Sequence, residues 1–166
     1  MARSDEAEWW FNAVYEAVQE IPHGKVTSYG HIARLLGRRA DYPLGLKRSV
    51  PGEWCIILVL VGPAEMGNRQ VGICLKHLPT FSVDVNHHFH GDNVPWQRVI
   101  NAKGVISQRG PGGASRQAAA LRREGVHVGT GTLGELTVDL ATFGWFPSRL
   151  PSEVAEGDSS DSEQDG

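Results

Sequence analysis

Two apolar stripes at helical spacing, parted by a three-residue breaker, constrain this chain most. In "EAEWWFNAVYEAVQEI", Trp10, Val14, Ala17, Val18 and Ile21 recur at helical intervals and define one buried face. "PHG" at 22–24 stops that helix. "KVTSYGHIARLLGRR" then predicts a second helix, capped by Thr27 or Ser28. Ile32, Leu35 and Leu36 face inward, and Gly37 suits the C′ position. Helices so short must bury their stripes against one another, so a helical core is expected early in the chain.

Further along, "NRQVGICLKHLP" reads as a third helix, with Asn68 as N-cap, Val71, Cys74, Leu75 and Leu78 as its stripe, and Pro79 as its stop. "WQRVINAKGVIS" reads as two short strands joined by a turn at Ala102-Lys103-Gly104. "QRGPGG" at 108–113 is glycine-rich but lacks the Lys-Ser/Thr of a phosphate loop. "ASRQAAALRREG" is a fourth helix with Gly125 at C′ and Val126 packing back. The predicted class is α+β, mainly helical: a winged helix-turn-helix with a small hairpin as wing.

At 166 residues the chain can bury a real core. The N-terminus is charged and lacks the apolar region of a signal peptide. The longest apolar run, "CIILVLV" at 55–61, is too short to span a bilayer. An intracellular protein is expected, in nucleus and cytoplasm, acting as a monomer. Cys55 and Cys74 form no CxxC pair, so a disulfide scaffold is not expected. His87, His88 and His90, with Asp84 and Asp92, have no recognised ligand spacing; a solvated loop is expected, with no metal and no cofactor. Residues 151–166 hold six acids and no base and are expected to be a disordered tail. With those six set aside, 13 acids face 16 bases, so residues 1–150 carry a net +3. That balance permits a polyanionic partner.

"IPHGKVTSYGHIARLLG", "RQVGICLKHLP", "VPWQRVINAKGVISQRG" and "RQAAALRREGV" run in the order found in the C-terminal domain of O6-alkylguanine-DNA alkyltransferases, which the chain resembles over roughly residues 9–146. The enzymes carry Pro-Cys-His-Arg-Val. This chain has Pro95-Trp96-Gln97-Arg98-Val99, with Trp96 in the nucleophile's place and Gln97 in that of the proton-relaying histidine. An indole cannot accept an alkyl group as a thiolate does. The resemblance is therefore closest to the non-enzymatic alkyltransferase-like branch. It implies a protein that binds O6-alkylguanine in duplex DNA by flipping the nucleotide, transfers nothing, and passes the lesion to nucleotide excision repair proteins.

The same resemblance implies roles for individual residues. Tyr29 would push the 3′ phosphate, and Arg69, at the start of the third helix, would fill the vacated stack. Trp96 would floor the lesion pocket and Arg109 would lie over the flipped purine. Val99 would offer backbone groups to the base edge, and Trp145 would wall the pocket's outer side. Lys25, Lys76, Arg98 and Lys103 are further phosphate or scaffold contacts. Two other functions are weighed beside this one: an alkyltransferase using Cys55 or Cys74, and a winged-helix DNA-binding module without lesion preference.

Two insertions depart from the family. About 25 residues at 44–68 separate the second and third helices, where a tight turn is expected. The segment is either translated intron sequence or a lineage-specific β-excursion. The second insertion, within 79–93, lengthens the loop before Trp96.

Overall fold

The computed structural model describes residues 5–37, 62–79 and 88–158. Residues 38–61, which hold Cys55 and most of the apolar insertion, and residues 80–87, which hold Asp84 and His87, lie outside the described residues.

Helix α1 (Asp5–Gln19) buries Val14, Ala17 and Val18 on one face, and Ile21 closes the stripe just past its end. The chain reverses at Gly24, whose φ of 73° lies where only glycine is free of strain. Strand β1 (Thr27–Ser28) leads directly into α2 (Tyr29–Leu36). Ser28 is the N-cap: its hydroxyl accepts from the His31 N–H at 3.2 Å. Gly37 ends the helix as C-cap in the right-handed region (φ −69°), one position earlier than the C′ predicted from sequence.

Helix α3 (Gly62–Lys76) packs on α2 more extensively than any other pair of elements. Three of its four predicted stripe residues, Val71, Cys74 and Leu75, are buried; the fourth, Leu78, lies past its end and is partly buried. Its start is not: the helix enters from Gly62, so Asn68 is not its N-cap and Arg69 does not begin it. The end of the insertion, 62–68, thus continues this helix backward. The approach is close at Gly67, where a Cβ would collide with that of Ala33.

A 3₁₀ turn (Trp96–Arg98) runs into β2 (Val99–Ile100), which pairs in parallel with β1, Thr27 against Val99 and Ser28 against Ile100. The turn at Ala102-Lys103-Gly104 forms as predicted, closed by Gly104 N–H to Asn101 C=O and Asn101 N–H to Val105 C=O. Its two arms do not build a ladder together. The first pairs with β1. The second pairs with β4 through a Val105–Thr137 bridge and the Ile106 N–H to Leu136 C=O bond. Among the described residues the two-stranded hairpin is instead β3 (Val128–Thr130) with β4 (Leu136–Val138).

Helix α4 (Gly113–Arg123) ends as the sequence predicts. Gly125 takes φ 84°, its N–H bonds the Arg122 carbonyl, and Val126 N–H bonds the Leu121 carbonyl while its side chain is buried. A short α5 (Leu140–Phe143) is N-capped by Asp139, and α6 (Pro151–Asp158) closes the described chain. Helix α6 corrects the expectation of disorder from residue 151. Leu150 is fully buried and anchors its start, and the Glu20 carboxylate accepts from Ser152 N–H (2.9 Å) and Oγ (2.6 Å) in place of a local cap. Residues 159–166 lie outside the described residues.

Two cores result. The first joins α1, α2 and α3 with Val94, Val99 and Leu150; the second gathers Val26, Ile100, Ile106, Ala118, Leu121, Val126, Val128 and Val138. Strand β2 is the seam. Successive side chains on a strand point to opposite faces, so Val99 enters one core and Ile100 the other. The Trp96 turn stands immediately before that seam. No described helix is long and apolar enough to cross a membrane.

Candidate functional site

Trp96 opens the 3₁₀ turn half-buried, packed against the first core with one side facing a cleft of about 680 Å³. Leu75 and Leu78 line the cleft as apolar wall. Lys76, Arg109 and Arg116 supply three cations against one acid, Asp92. A cleft of that size holds a small organic ligand.

Arg109 organises the site. Its guanidinium carbon lies 5.6 Å from the Tyr29 ring centroid and 5.7 Å from that of Trp96, within cation–π range of both. It also donates a hydrogen bond through Nη2 to the Tyr29 hydroxyl. Tyr29 is delivered by the first position of α2 and Trp96 by the 3₁₀ turn. Arg109 comes from the segment between the diverging arm and α4. Gly110 (φ 66°) and Gly112 (φ 69°) make the sharp entry into α4 that follows it.

The other predicted residues are dispersed. Arg69 is exposed on α3, outside the cleft lining, seven residues before Lys76 and so on the same helical face, about 10 Å along the axis. Val99 is fully buried. Its N–H bonds the Trp96 carbonyl, and its carbonyl accepts from Gln117 Nε2 at 3.0 Å. Trp145 packs on the first core and does not line the cleft. Arg98 bonds Glu124 (2.8 Å) and the Ile21 carbonyl (2.7 Å), a scaffold position. Lys25 reaches the Thr142 carbonyl, and Lys103 is exposed at its turn. In the histidine-rich loop, Phe89 is buried and Asn93 ties the backbone of His88 and His90, so the loop is not uniformly solvated. Among the described residues, no group of three His, Cys, Asp or Glu is placed to hold a metal.

Sequence reasoning missed Glu124. This C-cap of α4 accepts from Gln97 Nε2 (2.7 Å), Arg98 Nε (2.8 Å) and the Gly24 N–H (3.2 Å). Burial alone would raise its pKa. The hydrogen bonds from Arg98, Gln97 and Gly24, with the charge of Arg98, outweigh burial and hold the carboxyl below its ordinary value. Gln117 and Arg116 were also missed. No local pattern marks Glu124 or Gln117, because their partners are remote in sequence.

The cleft's aromatic, apolar and cationic groups suit it to holding a ligand. No thiol lines the cleft among the described residues, and Cys74 is buried in the first core with its carbonyl bonded by Tyr15. The Gln97 amide neither takes nor gives a proton at neutral pH.

Residues 9–126 match the family model of the 6-O-methylguanine DNA methyltransferase DNA-binding domain. Alkyltransferase-like protein 1 of Schizosaccharomyces pombe is 35% identical over 146 residues, covering 87% of this chain and 99% of that protein. The DNA base-flipping protein of Escherichia coli is 33% identical over 132 residues, covering 80% of this chain and 70% of that one. The fold is similar to that of S. pombe Atl1 in complex with damaged DNA containing O6-carboxymethylguanine. There the TM-score is 0.55 at 33% identity, over 88% of this chain and all of that one.

Proposed function

The chain belongs to the family of the 6-O-methylguanine DNA methyltransferase DNA-binding domain, in its alkyltransferase-like branch, and from that premise we propose that it recognises O6-alkylguanine in duplex DNA by nucleotide flipping, without alkyl transfer. The observation that carries this is the Arg109 guanidinium within cation–π reach of both the Tyr29 and the Trp96 ring on the wall of a cationic cleft. A base must leave the stack to be read, which costs a few kcal/mol. The indole of Trp96 returns part of that as a flat apolar contact, and Arg109 adds ~0.5–2 kcal/mol over an aromatic face. Tyr29 turns the phosphate, and Arg69, on the cleft-ward face of α3, fills the gap left in the stack. Val99, fully buried with its N–H and carbonyl engaged, holds the Trp96 turn instead of reaching the base edge, and Trp145 supports the site from the first core.

With no covalent step, the bound state lasts as long as these contacts do. Removal of the lesion then falls to other proteins, for which we propose the nucleotide excision machinery, with this chain acting as a monomer. The test is a titration of the full chain against two duplexes differing by one O6-methyl group on guanine, followed by intact-mass measurement. Preference for the methylated duplex with no mass gain is the expected result. A mass gain would identify an alkyltransferase, and equal affinity would identify a DNA-binding module without lesion preference.

A further inference from the structure

The Trp96 turn is held from behind by one helix. Helix α4 carries two polar side chains seven residues apart, Gln117 in its body and Glu124 at its C-cap, and both close on residues 97–99. Gln117 Nε2 donates to the carbonyls of Gln97 and Val99, each at 3.0 Å. The Glu124 carboxylate takes the Gln97 side chain at 2.7 Å and Arg98 Nε at 2.8 Å, and Arg98 continues to the Ile21 carbonyl. Every residue of the segment that follows Trp96 is thereby tied to α4, from both its backbone and its side chains.

We propose that Glu124 and Gln117 are positioning residues, which set the orientation of Trp96 and with it the discrimination between lesion and normal guanine. The inference rests on the lesion-recognition reading of the same site. Two features separate this role from simple packing. Gln117 is fully buried, yet its Oε1 has no hydrogen-bond partner among the described residues, so the side chain sits there at a cost to stability. An apolar residue of that size would avoid that cost but would leave the Gln97 and Val99 carbonyls without the donor that ties the Trp96 turn to α4. Gln97, for its part, joins Glu124 by a fixed amide donor. A histidine there would be free to change protonation state; glutamine holds the turn in one arrangement.

The experiment uses the full chain labelled with 5-fluorotryptophan, the Trp96 resonance being identified by its loss in W96F. Two variants are compared with the parent. E124Q cannot accept from both Gln97 and Arg98, and Q97A cuts the same link without touching the α4 interior. The expected result in both is a shifted or broadened Trp96 resonance, with the Trp10 and Trp145 resonances unmoved. The ratio of affinities for O6-methylated and unmodified duplex falls about tenfold, the scale of one or two lost hydrogen bonds, while affinity for unmodified duplex stays within about twofold. A purely structural role would lower the melting temperature and leave the ratio intact. An unchanged Trp96 resonance in both variants overturns the proposal, as does a moved resonance with an unchanged ratio. If E124Q does not fold, Q97A decides alone. If the parent itself shows no preference for the methylated duplex, the lesion-recognition reading fails, and discrimination by these residues fails with it. A Trp96 resonance that still moves without DNA would then show only that the turn is held from α4.

Discussion

Arg109 meets two rings and one hydroxyl, yet it is only partly buried and belongs to neither core. Its removal should therefore be felt in binding far more than in folding. R109A is expected to weaken the complex with methylated duplex by roughly 2- to 30-fold, the equivalent of ~0.5–2 kcal/mol, with little change in melting temperature. R109K should recover charge but not stacking, since an ammonium is a point charge without a planar face. A titration of the three proteins side by side checks the order. Glu124 gives a prediction in pH. Its folded pKa lies below the ordinary value of 4.5, so its contribution to stability is complete above that value and is lost as pH falls through the folded value. Denaturation curves taken from pH 7 down to about pH 3 should show a steeper acid loss in the parent than in E124Q. Equal slopes would mean that its hydrogen bonds do not favour the charged form.

At the scale of elements, the short helix α2 joins stability to function. Ser28 caps it and Tyr29 is its first residue. S28A is expected to cost about 1 kcal/mol of stability and also to weaken DNA binding, because fraying at this end releases Tyr29 from Arg109. A melt and a titration on the same variant test the coupling, and a lower melting temperature with unchanged affinity would break it. The turn at Gly104 tests the diverging arms. With φ of 79° and the Val138 carbonyl where a Cβ would go, G104A should destabilise by about 2 kcal/mol or more, measured by denaturant unfolding. Helix stripes, the Ser28 cap and the Gly125 ending were legible in sequence because each is decided within a few residues. The pairing of the two arms was not. A strand's alternation declares that it will pair, but not that its partners are Thr27–Ser28 on one side and Leu136–Val138 on the other. The start of α3 was misplaced for a similar reason. Asn68 has the chemistry of a cap, but the helix had already begun at Gly62, and packing of Gly67 on Ala33 holds it there. Tyr29, Trp96 and Arg109 were found from resemblance and proved adjacent. Glu124 escaped because its three partners lie at positions 24, 97 and 98, beyond the reach of any local pattern.

For the molecule as a whole, charge sets the longest-ranged effect on a polyanionic partner. The full chain carries −3, and residues 151–166 account for six of its acids, so without them the balance is +3. The first part of that acidic stretch is not loose: Glu20 caps α6, and buried Leu150 fixes its start to the first core. An acid on this anchored helix, such as Glu153, stays near the body as DNA approaches. Truncation after Leu150 keeps the buried anchor and removes the six acids. It should raise affinity for unmodified and methylated duplexes by a similar factor, because the effect acts on phosphates and not on the lesion. Screening decides the size. The gain should be largest near 50 mM salt and shrink toward 200 mM, where the Debye length falls below about 10 Å. Titrations of both proteins with both duplexes at the two salt concentrations separate the possibilities. A gain confined to the methylated duplex would place the acidic segment at the lesion cleft, and no gain at low salt would place it away from the DNA-binding face altogether.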